Sequence, residues 1–428
     1  MRGTSRRAAR LVTPIAGAIV ALSACATFTA LVPVEPPPRS SFDPALITKG
    51  AALAAIGNCI DCHTAADGRP FAGGRPLETP FGTIYGTNIT PDPETGIGRW
   101  SEEAFRRALR EGVDREGRHL YPVFPYDHFT YLTDEDVKAL YAYAMTREPV
   151  RAVPPRNELP FPLGSRSLIG IWKALYFERG MFRPDPAQSV QWNRGAYLVQ
   201  GLAHCGACHT PRNALGAEIR QQDLAGGNVE GWHAPALDAS SPAPVPWTAE
   251  TLYTYLRTGL DDLHAIAAGP MDPVVRNLGK APASDVRAIA VYVAARIGKP
   301  VLAGRAKLED AAFAREGGAA YERGAEIYVG ACAQCHDQGR EVSSGTALNL
   351  ELGSATTMPT SANLIRITLE GVQAPESERG RFMPGFESVL TDEQVKDLVV
   401  YIRAHFGREP PWTDIDRELS KARAAKRG

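Results

Sequence analysis

Three copies of Cys-X-X-Cys-His constrain this chain more than any other feature: Cys59-Ile60-Asp61-Cys62-His63, Cys205-Gly206-Ala207-Cys208-His209 and Cys332-Ala333-Gln334-Cys335-His336. Two thiols one helical turn apart with an imidazole beside them suit a zinc site, a redox pair or covalent attachment of a c-type haem. A zinc site would pair two such motifs across a short loop, whereas these stand more than a hundred residues apart. A redox pair calls for one motif after a strand in a βαβ unit, not for three that each end in His. The motifs therefore read as three haem c sites. Cys59, Cys62, Cys205, Cys208, Cys332 and Cys335 take the porphyrin vinyl groups, and His63, His209 and His336 face the iron. Six of the seven cysteines are used in this way, so no disulfide framework remains to be built.

A length of 428 residues exceeds one hydrophobic core and suits about three domains of roughly 100 residues each. The net charge of −1 offers no basic surface for nucleic acid, and 34 Pro with 40 Gly predict loop-rich domains. The N-terminus carries Arg2, Arg6, Arg7 and Arg10 before an uncharged apolar run from Leu11 to Val34, the pattern of an export signal. Three fates compete for residues 1–34: cleavage near Ala24-Cys25-Ala26, lipidation at Cys25, or retention as a membrane anchor. Each places the body on the periplasmic side of a bacterial inner membrane, with membrane association expected. Residues 35–43, within the Pro-rich stretch that starts at Pro33, read as a stiff spacer.

The same helix start precedes every motif, Lys49-Gly50-Ala51, Arg194-Gly195-Ala196 and Arg323-Gly324-Ala325. The repeats also end alike, in amphipathic helices that close on Tyr143, Tyr292 and Tyr401. Acidic first turns such as Thr133-Asp134-Glu135 and Thr391-Asp392-Glu393 suit helix N-termini. A first helix holding the thiols and a last helix packed across it predict an all-α fold of three tandem class I cytochrome c domains. The predicted bounds are 44–150, 189–299 and 317–408, with connectors at 151–188 and 300–316 and a solvated tail at 409–428. In the first connector Leu168, Ile171, Trp172 and Leu175 fall at helical spacing and predict interdomain core. The closing tyrosines are expected to pack, and are assigned no chemistry.

A cytochrome haem takes a second axial ligand from a distal loop. Met271, in Gly269-Pro270-Met271-Asp272-Pro273, is the candidate in the second domain, and Met383, in Arg381-Phe382-Met383-Pro384-Gly385, in the third. Met358 lies farther from the final helix. The first domain offers Leu120-Tyr121-Pro122-Val123-Phe124-Pro125-Tyr126-Asp127-His128-Phe129 instead, with no Met, and Met145 falls in the last helix. His128 is the substitute ligand, with His119 second, and bis-His ligation lowers that haem's potential relative to its neighbours. His233, His264 and His405 have no cysteine partner and are expected at the surface or beside propionates, and Arg212 suits a propionate or a surface ion pair.

These residues resemble the three-haem cytochrome c subunits of membrane-bound bacterial dehydrogenases that oxidise alcohols, gluconate, aldehydes or nicotinate. The resemblance runs from about residue 46 to 406 and rests on Pro80-Phe81-Gly82-Thr83-Ile84-Tyr85-Gly86-Thr87-Asn88, Trp192-Asn193-Arg194-Gly195-Ala196-Tyr197 and His204-Cys205-Gly206-Ala207-Cys208-His209-Thr210-Pro211-Arg212-Asn213. The alcohol-oxidising branch carries Met where this chain has Phe124. Asp127-His128-Phe129 and Ala267-Ala268-Gly269-Pro270-Met271 are more similar to the branch serving molybdenum hydroxylases. The resemblance implies an electron-transfer subunit, not itself an enzyme, that takes electrons from a catalytic dehydrogenase subunit and passes them to membrane quinone, a downstream cytochrome or an oxidase. The competing expectation is a catalytic multihaem enzyme such as a cytochrome c peroxidase, with an open haem in the first domain.

Overall fold

The computed structural model describes residues 28–298, 310–337, 347–373 and 382–425. Most of the apolar N-terminal run, with Cys25, and the second connector at 300–309 lie outside them. The chain forms two compact units, 1–183 and 184–428.

The first unit is built on helix α1 (Pro44–Ile56), which leads to the first motif, and on α3 (Asp134–Met145) packed across it. Asp43 and Thr133 cap the two helices, each accepting from a backbone N–H of its first turn. At the crossing, a Cβ on Gly50 would lie inside the carbonyl oxygen of Ala139 and the Cβ of Tyr143, so no other residue lets the backbones approach so closely. Lys49 pairs with the buried Asp136 at 2.6 Å beside it. Between these helices lie a short antiparallel hairpin, β1 (Pro76–Thr79) with β2 (Gly82–Tyr85), and helix α2 (Glu102–Glu111). Ile97, Tyr141, Ala144 and Met145 form a small core.

The connector closes this unit with α4 (Arg166–Tyr176), and here the expected apolar stripe is corrected. Ile171 and Leu175 are exposed, while Gly170 and Lys173 are the buried positions. Lys173 is 7 % exposed because its ammonium donates to the carbonyls of Glu111 and Gly112 at the C-terminal end of α2, among the rings of Phe28, Tyr126 and Phe177. Burial pushes its pKa down to about 8. The end of the segment expected as signal or anchor is held to this unit, since Val34 N donates to Arg99 O at 3.1 Å and Leu31 N to Arg115 O at 2.8 Å.

The second unit repeats the crossing twice. Helix α5 (Val190–Tyr197) runs through a π turn at Leu198–Leu202 to the second motif. It packs on α8 (Ala283–Ile297), with Gly195 against the Ala288 carbonyl and Arg194 forked onto Asp285 at 2.8 and 3.1 Å. Between them lie the hairpin β3 (Gly227–Val229) with β4 (Trp232–Ala234), helix α6 (Ala249–Thr258), the two-residue strands β5 (Leu260–Asp261) and β6 (Ala265–Ile266), and α7 (Met271–Leu278). The third crossing sets α9 (Asp310–Ala331, broken at Gly318) on α11 (Asp392–His405), with Gly324 against the Asp397 carbonyl and Arg323 forked onto Asp397 at 2.6 and 2.8 Å. Its ion-pair partner has moved one turn along the closing helix relative to Asp136 and Asp285.

The all-α expectation therefore needs one amendment, because antiparallel hairpins sit between the helices. The solvated tail is corrected outright. Helix α12 (Ile415–Ala424) buries Ile415, Leu419 and Ala422 with Trp412 in the core that holds Leu364 of α10 (Ala362–Glu370) and Leu398 of α11. Spaced at i, i+4 and i+7, these apolar residues form a helix stripe that the flanking charges conceal.

Candidate functional site

Each motif closes a single helical turn, with its His N–H donating to the first Cys carbonyl at 3.2, 2.9 and 3.0 Å for His63, His209 and His336. None of the six motif cysteines is in a disulfide. Burial pushes Cys59 up to about 11, Cys205 up to about 12, and Cys208 and Cys332 up to about 11. These four groups are thiols at neutral pH, where a redox nucleophile needs thiolate.

The three motif histidines share one geometry. Nδ1 of His63 lies 2.7 Å from the carbonyl oxygen of Thr87, Nδ1 of His209 2.6 Å from that of Pro235, and Nδ1 of His336 3.1 Å from that of Leu348. A carbonyl only accepts, so the proton sits on Nδ1 and Nε2 keeps its lone pair. Burial holds all three below the ordinary histidine value, and the rings are neutral. These are imidazoles set to bind a metal through Nε2, each aimed by an outer hydrogen bond.

For the first two motifs the aiming carbonyl belongs to the residue two places after Tyr85 of β2 or His233 of β4, so each hairpin wraps its motif. The hairpins start alike, with Gly73 N donating to His63 O at 2.8 Å and Gly226 N to His209 O at 2.7 Å, both glycines at positive φ of 80° and 92°. Strands of three or four residues around Gly-containing turns carry too short an alternation to be read from sequence.

On the distal side, Leu120 N donates to Gly112 O and Ala267 N to Gly259 O, the C-caps of α2 and α6, which puts Phe124 in the register that Met271 holds. Met271 opens α7 and is half-buried. Met383 is half-buried and exchanges both backbone hydrogen bonds with Val372 at 2.9 Å. Met358 is buried, its carbonyl accepting from Trp412 Nε1 at 2.8 Å, and Met145 packs beside Ile97 and Tyr141. His128 is buried in a single helical turn at Tyr126–Phe129. His119 receives the Lys173 ammonium on Nδ1 at 3.3 Å, which leaves its proton on Nε2, the opposite tautomer to the motif histidines. This disfavours His119 against His128.

His264 is not at the surface. Its ring is fully buried, stacked 3.6 Å from Trp247, with Nδ1 2.6 Å from Asp261 Oδ1 and Nε2 without a hydrogen-bond partner. The Asp-X-X-His spacing was its only signal in the sequence. Arg212 pairs with Glu218 at 3.5 Å, as one of its two expected roles has it, and also donates to the carbonyls of Gly216 and Ala207, which places it against the motif turn. His233 is half-buried, and His405 stacks on Tyr401.

A family model for cytochrome c matches residues 47–148, and one for subunit III of cbb3-type cytochrome c oxidase matches residues 319–402. The fructose dehydrogenase cytochrome subunit of Gluconobacter japonicus is 39 % identical over 90 % of this chain and 84 % of its own length. The cytochrome c subunit of the quinone-dependent alcohol dehydrogenase of Gluconobacter oxydans is 35 % identical over 89 % and 83 %. This chain belongs to the cytochrome c subunits of dehydrogenases. A nicotinate dehydrogenase subunit of Pseudomonas putida is 45 % identical over 92 % of the chain, which spans only 33 % of that longer protein.

Covalent haem c is thus the cofactor of this cytochrome subunit, and the residues fit it, with pairs of thiols outside any disulfide beside imidazoles whose Nδ1 protons leave Nε2 as the donor to iron. When bound, the haem supplies a one-electron iron couple. The chain's own part is to fix the ring of each motif histidine through Nδ1. Among the described residues no helix is long and apolar enough to cross a membrane.

Proposed function

We propose that the cytochrome subunit is a three-haem electron carrier organised as three haem domains, 44–150, 189–299 and 317 to about 424. Cys59 and Cys62, Cys205 and Cys208, and Cys332 and Cys335 form the thioethers, with His63, His209 and His336 as proximal ligands. Met271 and Met383 complete the second and third irons, and His128 the first. The observation that carries this reading is the half-buried imidazole with Nδ1–H on a backbone carbonyl, found at all three motifs.

Electrons enter from a catalytic dehydrogenase, of the aldehyde- or nicotinate-oxidising kind, and leave to quinone or a downstream cytochrome on the periplasmic side of the inner membrane. The likeness to the nicotinate dehydrogenase subunit supports this branch, and so does Phe124 in the register of Met271. A peroxidase with an open first haem gains no support from relatives that are dehydrogenase subunits.

Haem per chain, measured as the pyridine haemochrome, is expected to be three, and to fall to two in Cys59→Ala/Cys62→Ala. A wild-type value of two would overturn the reading. Three low-spin EPR signals are expected, and a high-spin haem turning over peroxide would favour the peroxidase. In membranes, reduction of the haems by nicotinate or an aldehyde supports the partner, and reduction by alcohols alone rejects it.

A further inference from the structure

Each strand that leads to an aiming carbonyl is the outer edge of a two-stranded hairpin, and such a hairpin has little stability alone. Its outward N–H also needs a partner wherever water is excluded. In both hairpins that partner is an asparagine side chain at the same place. Tyr85 N donates to Asn157 Oδ1 at 3.0 Å, two residues before Thr87, whose carbonyl holds His63. His233 N donates to Asn363 Oδ1 at 2.8 Å, two residues before Pro235, whose carbonyl holds His209.

Neither asparagine belongs to the motif-bearing repeat it serves. Asn157 lies in the connector, where Glu158 adds a backbone bridge to Thr83, N to O at 2.8 Å and O from N at 3.1 Å. Asn363 lies in the first turn of α10, in the third repeat. Its Nδ2 also donates to His233 O at 2.9 Å, giving a two-point hold on β4. One turn later Arg366 Nε donates to Gly231 O at 2.8 Å, itself paired with Glu370 at 2.8 Å. The same contact built twice from unrelated stretches of chain marks it as a device of the site.

We propose that Asn157 and Asn363 are matched positioning residues that fix the Thr87 and Pro235 carbonyls, and through them the His63 and His209 rings, for iron. Through Asn363 the third repeat sets the second haem. The inference rests on the reading of His63 and His209 as proximal ligands. The physical link is the Nδ1–H···O=C bond: its length sets how much electron density the imidazole gives to the metal, and so the potential.

The test uses the full-length holoprotein in redox titrations followed optically and by EPR, with haems assigned from Cys59→Ala/Cys62→Ala and Cys205→Ala/Cys208→Ala. Asn363→Leu is expected to shift the potential and g-values of the second haem alone, and Asn157→Leu those of the first alone, with full haem content. If either leucine variant loses haem, Asn363→Ala and Asn157→Ala carry the same expectation. Unchanged potentials and g-values, or equal shifts at all haems, overturn the proposal. His209→Ala separates the two levels. If it leaves the second haem's spectrum intact, the ligand reading fails and the inference falls with it. If it converts that spectrum while Asn363→Leu and Asn363→Ala do not, the inference alone fails.

Discussion

In the first unit the strand that aims His63 is held by residues 157 and 158, which the chain reaches soon after leaving its closing helix. In the second, the strand that aims His209 is held by Asn363 and Arg366, which lie in another repeat. The first motif is therefore served by its own connector, whereas the second is completed by a neighbour with its own core. Identical local geometry at two motifs does not imply equal independence.

The strongest way to break this contrast is at the helix crossings. Gly50→Leu and Gly195→Leu each drive a side chain into a backbone carbonyl, and each is expected to cost more than about 4 kcal/mol. Gly50→Leu should cost the first haem and leave the second unit's thermal transition in place, and Gly195→Leu the reverse. Loss of both transitions in either variant would erase the distinction. A finer comparison sets Asn363→Ala, which removes two hydrogen bonds from β4, against Asn157→Ala, which removes one from β2. Urea titrations are expected to show a loss of about 2 kcal/mol in the second unit and about 1 kcal/mol in the first.

Lys173 sharpens the description of the first unit as self-contained. Its folded pKa of about 8 lies below the ordinary lysine value, so above pH 8 the unfolded chain keeps a proton that the folded one has released. Relative to Lys173→Met, the first unit should gain at most about 1.4 kcal/mol per pH unit from pH 8 upward, with no trend in the second unit. A flat difference would show the ammonium to be solvated. The smallest effect is expected from the crossing ion pairs. Because Lys49 and Arg323 are largely exposed, Lys49→Ala and Arg323→Ala should each lower the melting temperature only slightly.

The motifs, the Lys/Arg-Gly-Ala helix starts and the closing helices were legible because their signals are local and repeated. That Gly50, Gly195 and Gly324 mark backbone contacts was not legible, since a glycine in a helix start shows nothing of what crosses it. Lys173 inverted an apolar stripe because the carbonyls that receive it belong to α2, about sixty residues earlier. Asn157 and Asn363 look like solvated polar residues in sequence, and the strands they hold lie 72 and 130 positions away. The burial of His264 was not legible because it depends on Trp247 and Asp261 together.

The buried α12 reaches further than its own core. Asp414, just before it, accepts from Thr360 Oγ1 at 2.6 Å and Ser361 Oγ at 2.8 Å, and so anchors the start of α10 where Asn363 sits. A line of contacts then runs from Asp414 through Ser361, Asn363 and β4 to Pro235 and His209. In a chain synthesised from its N-terminus, His209 is made long before Asp414. The geometry at His209 thus depends on contacts that exist only once the chain has been made through Asp414.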